Sequence, residues 1–408
     1  PGLSPSARAF ERRAAWYRRS VQRWLVVLLA GACASCRACG GASSTEDAGT
    51  HTSARVDSGA PASIDVEPFR ARARVPAVGW ASVTRDLESS GAVGVADVER
   101  SEPASATTAF EAASVAKTII ATCVMQLVEE KTLALDADVS SYVGFPVRHP
   151  RLPAPITLRR LLTHTASIAD REETRAAGDV ALGDFLAGYF ADAGSRGTFL
   201  AAAPGTSMSS SNVGPSLAAL AVERVTGVRF ADRARARVFE PLGMRTTAFG
   251  VDALPPGARV AAPYAARGSS FVRLPAPSHA LYPVVDLFST PRDLARFARA
   301  MLRDGELDGV RVLARASVDE MLRVQLPDAA PDDALGWQVR SFGGRRVVGH
   351  EGEDAGASTG LYLDRASGTG AIVLANGDAF QGEDEARAAA LGELVERLVT
   401  VQRASSGP

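Results

Sequence analysis

Phe110-Glu-Ala-Ala-Ser114-Val-Ala-Lys117-Thr118, continuing into Ile119-Ile-Ala-Thr-Cys-Val-Met-Gln-Leu-Val128, is the stretch on which the reading of this chain turns. Ile120, Val124, Leu127 and Val128 recur at helical spacing. Ile119, Ala121 and Met125 extend the apolar surface nearly all round, so the spacing predicts a helix over 114–131 that is buried on most sides. Ser114 and Lys117 stand three residues apart and are neighbours on a helix surface. The amine therefore reaches the hydroxyl without any help from distant segments. An apolar wall disfavours the charged ammonium and turns lysine into a usable base, and a hydroxyl beside such a base becomes a nucleophile. A helix beginning near Ser114 would also aim its unpaired N–H groups and positive dipole end at the reacting carbonyl. Of the 45 basic residues only Lys117 and Lys131 are lysines. Arginine cannot give up its proton, so a titratable amine at 117 stands out against this composition. Cys123, inside the same apolar run, reads as a small core residue.

Outward from this helix, Val75–Val83 and Gly91–Val95 read as strands, and so do Arg345–Val348, Thr359–Leu363 and Gly370–Ala375 near the other end. Between them lie helical stretches at Leu158–Leu162, Val180–Tyr189, Pro215–Val225, Asp232–Phe239 and Pro291–Leu302, the last with proline in its first turn. Glu383–Val399 reads as a closing amphipathic helix. Strands at both ends with helices between them imply an α/β (α+β) fold. Its sheet is mixed, mostly antiparallel and flanked by helices, and is made from N- and C-terminal segments around an inserted all-helical domain. The expected division is a sheet domain from 66–130 and 280–402, and a helical domain from 131–279. A signal or lipoprotein segment (1–39), a flexible linker (40–65) and a tail (403–408) complete the chain. The 408 residues suit two structural units, and no internal repeat is visible.

The Ser-x-x-Lys pair alone is a weak signal, but its context closely resembles the first motif of the class C β-lactamase-like family, which includes D-Ala-D-Ala carboxypeptidases, D-amino peptidases and carboxylic esterases. The resemblance continues in order. Ile156-Thr-Leu-Arg-Arg-Leu-Leu-Thr-His-Thr165 is similar to the helix and turn after the nucleophile, and Pro204-Gly205 to Asn212-Val-Gly214 resembles the second motif. Phe239-Glu-Pro-Leu-Gly-Met244 and Leu287-Phe-Ser-Thr-Pro-Arg-Asp-Leu-Ala-Arg-Phe297 are further blocks, and Gly349-His-Glu-Gly352 resembles the third motif. Coverage runs from about Val75 to Asn376.

The resemblance implies a serine hydrolase acting on a β-lactam, a D-amino-acid peptide or a carboxylic ester. Ser114 would attack a carbonyl and form an acyl-enzyme, with Lys117 taking its proton. Asn212 would orient Lys117 and hold a substrate amide. His350 takes the place of the lysine in Lys-Thr-Gly and Gly352 lets the strand approach the substrate, while the N–H groups of Ser114 and Glu353 would form the oxyanion hole. His350 tilts the reading towards an esterase or peptidase. Two departures stand out. The family's Tyr-x-Asn is Ser210-Ser211-Asn212 here, so Ser210 would have to relay the proton that a longer tyrosine usually carries. Where members usually have Gly-Gly-Leu, this chain has Val285-Asp286-Leu287, and the carboxylate could face the cleft or solvent. A binding protein that kept the cleft and lost turnover through the tyrosine-to-serine change is the competing reading.

Composition removes other classes. Hydrophobic residues at 46% and charged residues at 22% are an ordinary globular balance, and a net charge of −1 offers no field for nucleic acid. The five histidines include no pair at metal-ligand spacing, so neither metal nor cofactor is expected. His164 reads as a structural hydrogen-bonding residue. The dinucleotide fingerprint is absent. Arg18, Arg19 and Arg23 precede the apolar run Trp24–Ala32, the pattern of a secretory signal. Leu29-Ala-Gly-Ala-Cys33 resembles a lipobox, with Cys36 and Cys39 as other acceptors, so the expectation is an exported protein, periplasmic or at the cell surface of a bacterium and held to the membrane by a lipid. The partner expected is a small-molecule or peptide substrate. The oligomeric state is not legible.

Overall fold

The computed structural model describes residues 64–401 apart from 172–173, 175–179, 192–196, 277 and 380–384. The expected signal segment (1–39), the linker as far as residue 63 and the tail at 403–408 lie outside the described residues.

A seven-stranded sheet organises the rest. In chain order, after helix α1 (Glu67–Ala73), come β1 (Ala77–Thr84), β2 (Glu88–Asp97), β3 (Glu102–Pro103) and β4 (Phe110–Glu111). Helices α2 (Ala116–Glu129), α3 (Leu158–Leu162), α4 (Leu182–Ala191) and α5 (Val213–Thr226) follow. Next are β5 (Ala248–Phe249), β6 (Leu287–Ser289), α6 (Pro291–Leu302) and α7 (Arg315–Leu322). The chain ends with β7 (Gln338–Phe342), β8 (Arg345–Asp354), β9 (Ala357–Asp364), β10 (Thr369–Ala375) and α8 (Glu385–Val401). The large sheet runs β7-β8-β9-β10-β1-β2-β3, with every neighbouring pair antiparallel. A small sheet, β4-β6-β5, lies beside it.

Strand alternation divides the core into two layers. On one face Val78, Val347, Tyr362, Ala371 and Val373 pack with Leu391, Leu394, Val395 and Leu398 of α8. On the other face Ala81, Val83, Leu361, Leu363, Ile372 and Leu374 join the large core shared with α2, α5 and α6. β9 and β10 are therefore buried on both faces, which explains why they read as near-continuous apolar runs. α6 begins where Thr290 Oγ1 accepts the Asp293 N–H at 3.0 Å, with Pro291 in the first turn.

The expected α/β class with its mostly antiparallel sheet and flanking helices is the architecture observed. Several local readings differ. The helix expected over 114–131 opens with a 3-10 turn at Ala113–Val115 before α2. The helix expected over 232–239 is a short α-helix, Phe230–Ala234, followed by a π turn over Arg235–Phe239. β8 runs six residues beyond Val348, because His350-Glu-Gly-Glu-Asp354 carries polar side chains that hide its strand character. The polar strand β7 and helix α7 escaped pattern reading for the same reason. The 131–279 stretch, expected to be all helix, also contains β5 and a hairpin of Tyr264–Arg267 with Ser270–Arg273. The closing helix occupies Glu385–Val401, and the expected residues 383–384 lie outside the described residues.

Leu361 is fully buried at the centre of β9. Leu361→Ala is expected to lower unfolding free energy by about 2–5 kcal/mol in urea titration, whereas Leu87→Ala, at 62% exposure, should change it by about 0.5 kcal/mol or less.

Candidate active site

The segment before Ser114 is held from two sides. The Ala112 N–H donates to the Leu287 carbonyl of β6 at 2.7 Å, and the Ala112 carbonyl accepts from Thr359 Oγ1 of β9 at 2.8 Å. Ala113 then adopts φ +46°, a left-handed conformation that costs a residue with a Cβ about 1–2 kcal/mol. This corner turns the chain sharply from β4 into helix. Ser114 stands on it half-buried, while Ala113, Val115 and Ala116 are fully buried around it. Gly352 of β8 lies against the same corner. A Cβ there would come within 2.1 Å of Thr359 Oγ1 and 2.6 Å of the Ala112 carbonyl, so only glycine lets the strand lie this close.

Lys117 is 3% exposed. Its Nζ lies 2.6 Å from Ser114 Oγ and 2.9 Å from Asn212 Oδ1. Burial pulls the amine down from the ordinary lysine value to about 8, an effect that the negative charges of Asp170 and Asp354 only partly oppose. At that pH half of the amine is neutral and able to accept a proton, and above it most is.

Asn212 occupies the position just before α5, where a side chain would normally cap the free N–H groups of the helix. Its side chain is committed to Lys117 instead, and others do the capping. Asp170 accepts the Asn212 N–H at 2.7 Å, the Val213 N–H at 3.3 Å and the Ser211 hydroxyl at 2.6 Å. Ser211 Oγ in turn accepts the Gly214 N–H at 3.2 Å. His164, itself at φ +56°, accepts the Ser211 N–H on Nδ1 at 3.2 Å and the Ser209 N–H on its carbonyl at 2.8 Å. Burial foremost, then the nearby Lys117, lowers the His164 ring to about 3, so it stays a neutral acceptor.

β8 supplies the opposite wall. β7 pairs only with residues 345–349, whereas β9 pairs with 348–354. Among the described strands, residues 350–354 therefore pair in a ladder with β9 and not with β7. His350, Gly352 and Asp354 alternate onto the face towards Lys117, Ala112 and Glu111. His350 is buried, with Nδ1 2.5 Å from the Glu351 carbonyl, and Nε2 has no hydrogen-bond partner among the described residues. Burial first and the proximity of Lys117 second hold this imidazole well below the ordinary histidine value, so it is uncharged at neutral pH.

Ser114, Lys117 and Asn212 thus form one hydrogen-bonded cluster, and His350 and Gly352 border it. Glu353 has an exposed side chain beside that edge. Ser210 is exposed, and its hydroxyl makes no hydrogen bond among the described residues; Ser211 takes the buried position next to it. Pattern reading missed Asp170, whose only cue was a carboxylate following Thr165-Ala-Ser-Ile-Ala169 at a distance from the helix it caps. Asp286 is buried, with Oδ1 2.6 Å from His279 Nδ1. Cys123 is a fully buried thiol pushed up to about 12 by its apolar surroundings.

Comparison with known proteins agrees with this geometry. The Beta-lactamase family model matches residues 65–396. Penicillin-binding protein 4 of Amycolatopsis lactamdurans is 32% identical over 286 residues, spanning 66% of this chain and 72% of that protein. Esterase EstB of Burkholderia gladioli is 35% identical over 216 residues, 48% of this chain and about half (52%) of the esterase. The crystal structure of D-amino acid amidase from Ochrobactrum anthropi SV3 complexed with L-phenylalanine superposes with a TM-score of 0.67 at 25% identity, covering 83% of this chain and 98% of the amidase.

Gly352→Ala should force β8 away from the Ala112 carbonyl and lower stability by about 1–3 kcal/mol, measured by thermal or urea unfolding. Asp170→Ala is expected to cost about 1–2 kcal/mol through the lost cap of α5, seen as a lower unfolding midpoint.

Proposed function

The chain belongs to the β-lactamase family, and on that premise we propose that it is a serine hydrolase, cleaving a carboxylic ester or a D-amino-acid amide or peptide through an acyl-enzyme on Ser114. The observation that carries this reading is the 2.6 Å approach of a buried amine, lowered to about 8, to the Ser114 hydroxyl.

In this mechanism neutral Lys117 takes the proton from Ser114 Oγ as the oxygen attacks the substrate carbonyl. The N–H groups of Ser114 and Glu353 receive the developing oxyanion. As the tetrahedral centre collapses, the leaving alcohol or amine takes the proton back from Lys117. Water then attacks the acyl-enzyme by the same route in reverse, releasing the acid and restoring Ser114. Asn212 holds the lysine through Oδ1, which leaves its NH2 group to meet a substrate carbonyl. With Ser210 exposed, the proton passes between Lys117 and the leaving group without a relay.

The third motif supports the choice of substrate class. Facing the Glu351 carbonyl, His350 Nδ1 carries the ring hydrogen, so Nε2 presents a lone pair and the ring no charge. Such a wall cannot neutralise a free carboxylate as a lysine would, which favours neutral esters and amides over β-lactams. The names of the esterase and amidase relatives point the same way. The competing reading, a binding protein that acylates without turnover, draws on the exposure of Ser210. For the N-terminal segment we propose export and lipid attachment at Cys33, Cys36 or Cys39, supported by the basic and apolar runs before them.

With p-nitrophenyl esters and D-amino-acid amides, Ser114→Ala should abolish turnover and Lys117→Ala should lower kcat/KM by about 10²–10⁴-fold. Because the protonated amine cannot act as base, wild-type kcat/KM should fall about tenfold per pH unit as pH drops below 8. A covalent Ser114 adduct that never deacylates with any substrate in the panel would establish the binding protein instead.

A further inference from the structure

His279 and three carboxyl groups form a cluster outside the Ser114-Lys117-Asn212 site. His279 Nδ1 lies 2.6 Å from Asp286 Oδ1, and its backbone N–H donates to Asp286 Oδ2 at 3.2 Å. On the other side of the ring, Nε2 lies 3.4 Å from Asp354 Oδ2. Asp354 ends β8 and faces Glu111 of β4, which is buried. Burial, then the charges of Asp354 and Asp286, holds the Glu111 carboxyl well above the usual range, so it is neutral. The ring thus joins three segments: Asp286 at the entry to β6, Asp354 at the tip of the β8–β9 hairpin and, through Asp354, Glu111 on β4.

The chain positions give the cluster its meaning. Glu111 lies three residues before Ser114, and Asp354 follows Glu353. The two N–H groups assigned to the oxyanion hole are therefore carried by the two segments that this cluster joins. Without a cation, Asp286 and Asp354 would repel one another and push the hairpin tip away from β6. We infer that Asp286, His279 and Asp354 form an ionic clasp that holds the Glu353 amide in register with Ser114, making His279 a positioning residue for the reaction. This rests on the serine hydrolase reading above. It also gives the buried Asp286 a role, as the acceptor for both the ring and the backbone N–H of His279.

The clasp requires a charged ring. Burial lowers the His279 pKa, but Asp286 and Asp354 more than compensate, leaving it above the ordinary histidine value. The clasp is therefore closed while the carboxylates are ionised and the pH lies below that raised value, and opens as pH rises through it.

The full-length protein tests this with His279→Gln and Asp286→Asn. Two quantities are followed across pH: ester turnover, and hydrogen exchange of residues 350–357 corrected for intrinsic base catalysis. At a pH where the wild-type ring is charged, His279→Gln should lower kcat about 10- to 100-fold, less than or equal to the loss of a whole oxyanion donor, with KM within about twofold. Exchange in 350–357 should quicken at least about tenfold while the central strands β9 and β10 stay protected. Asp286→Asn should move both in the same direction. The gap between wild type and His279→Gln should close at high pH, where the wild-type ring is uncharged; a purely structural contact would leave a gap independent of pH. Unchanged exchange in 350–357, or a penalty constant with pH, overturns the clasp. Absence of Ser114-dependent turnover in wild type would instead refute the hydrolase reading, and the exchange data would still decide the clasp.

Discussion

A primary amine sealed from water against a serine hydroxyl is the constraint around which this molecule is arranged. Lowering Lys117 from the ordinary lysine value of 10.5 to about 8 corresponds to on the order of 3 kcal/mol disfavouring its charged form. That cost is imposed by burial, which leaves the Lys117 side chain 3% exposed. The neighbouring acids pull the other way. Asp170 and Asp354 raise the amine just enough to leave it poised near neutrality rather than locked in the free-base form. Base strength and proton return both need this intermediate value.

Close approach is the second requirement. Lys117 meets Ser114 by helical spacing alone, but the cleft needs β8 to lie against the corner before the nucleophile. Ala112, Ala113 and Gly352 meet there with no room for larger side chains, and Thr359 fastens the corner from the neighbouring strand. The strain at Ala113 persists because Ala112 just before it is held by hydrogen bonds to two different strands. β8 extends past β7, so among the described residues its last five pair only with β9. β9 and β10 are covered on both faces, and the segment beside Ser114 belongs to the strand next to them.

Much of this is legible in the residues themselves, and the exceptions have physical causes. Ser114 and Lys117 could be paired because their contact is local. Asn212 was found through its surrounding block, and β9 and β10 through their apolar runs. Asp170 was missed because capping of α5 from a separate loop leaves no periodic trace. Asp286 was noticed as anomalous but could not be assigned, since its partner His279 lies in an irregular segment and Asp354 is 68 residues further along the chain. Ser210 shows the limit of transferring a motif by register. A shorter side chain at the tyrosine position does not reach the cluster, and its neighbour Ser211 turns inward to cap the helix. β7 and the far half of β8 were hidden by polar side chains suited to an edge and a cleft rather than a core.

The composition makes the central claim unusually accessible to measurement. Lys117 and exposed Lys131 are the only lysines, so isotope labelling of lysine side chains yields two signals, and Lys131→Arg identifies which is which. Titrating the labelled protein by NMR should show Lys117 losing its proton near pH 8. A Lys117 signal that stays protonated up to the ordinary lysine value would mean that the amine is not a base at working pH, contradicting the account at its root.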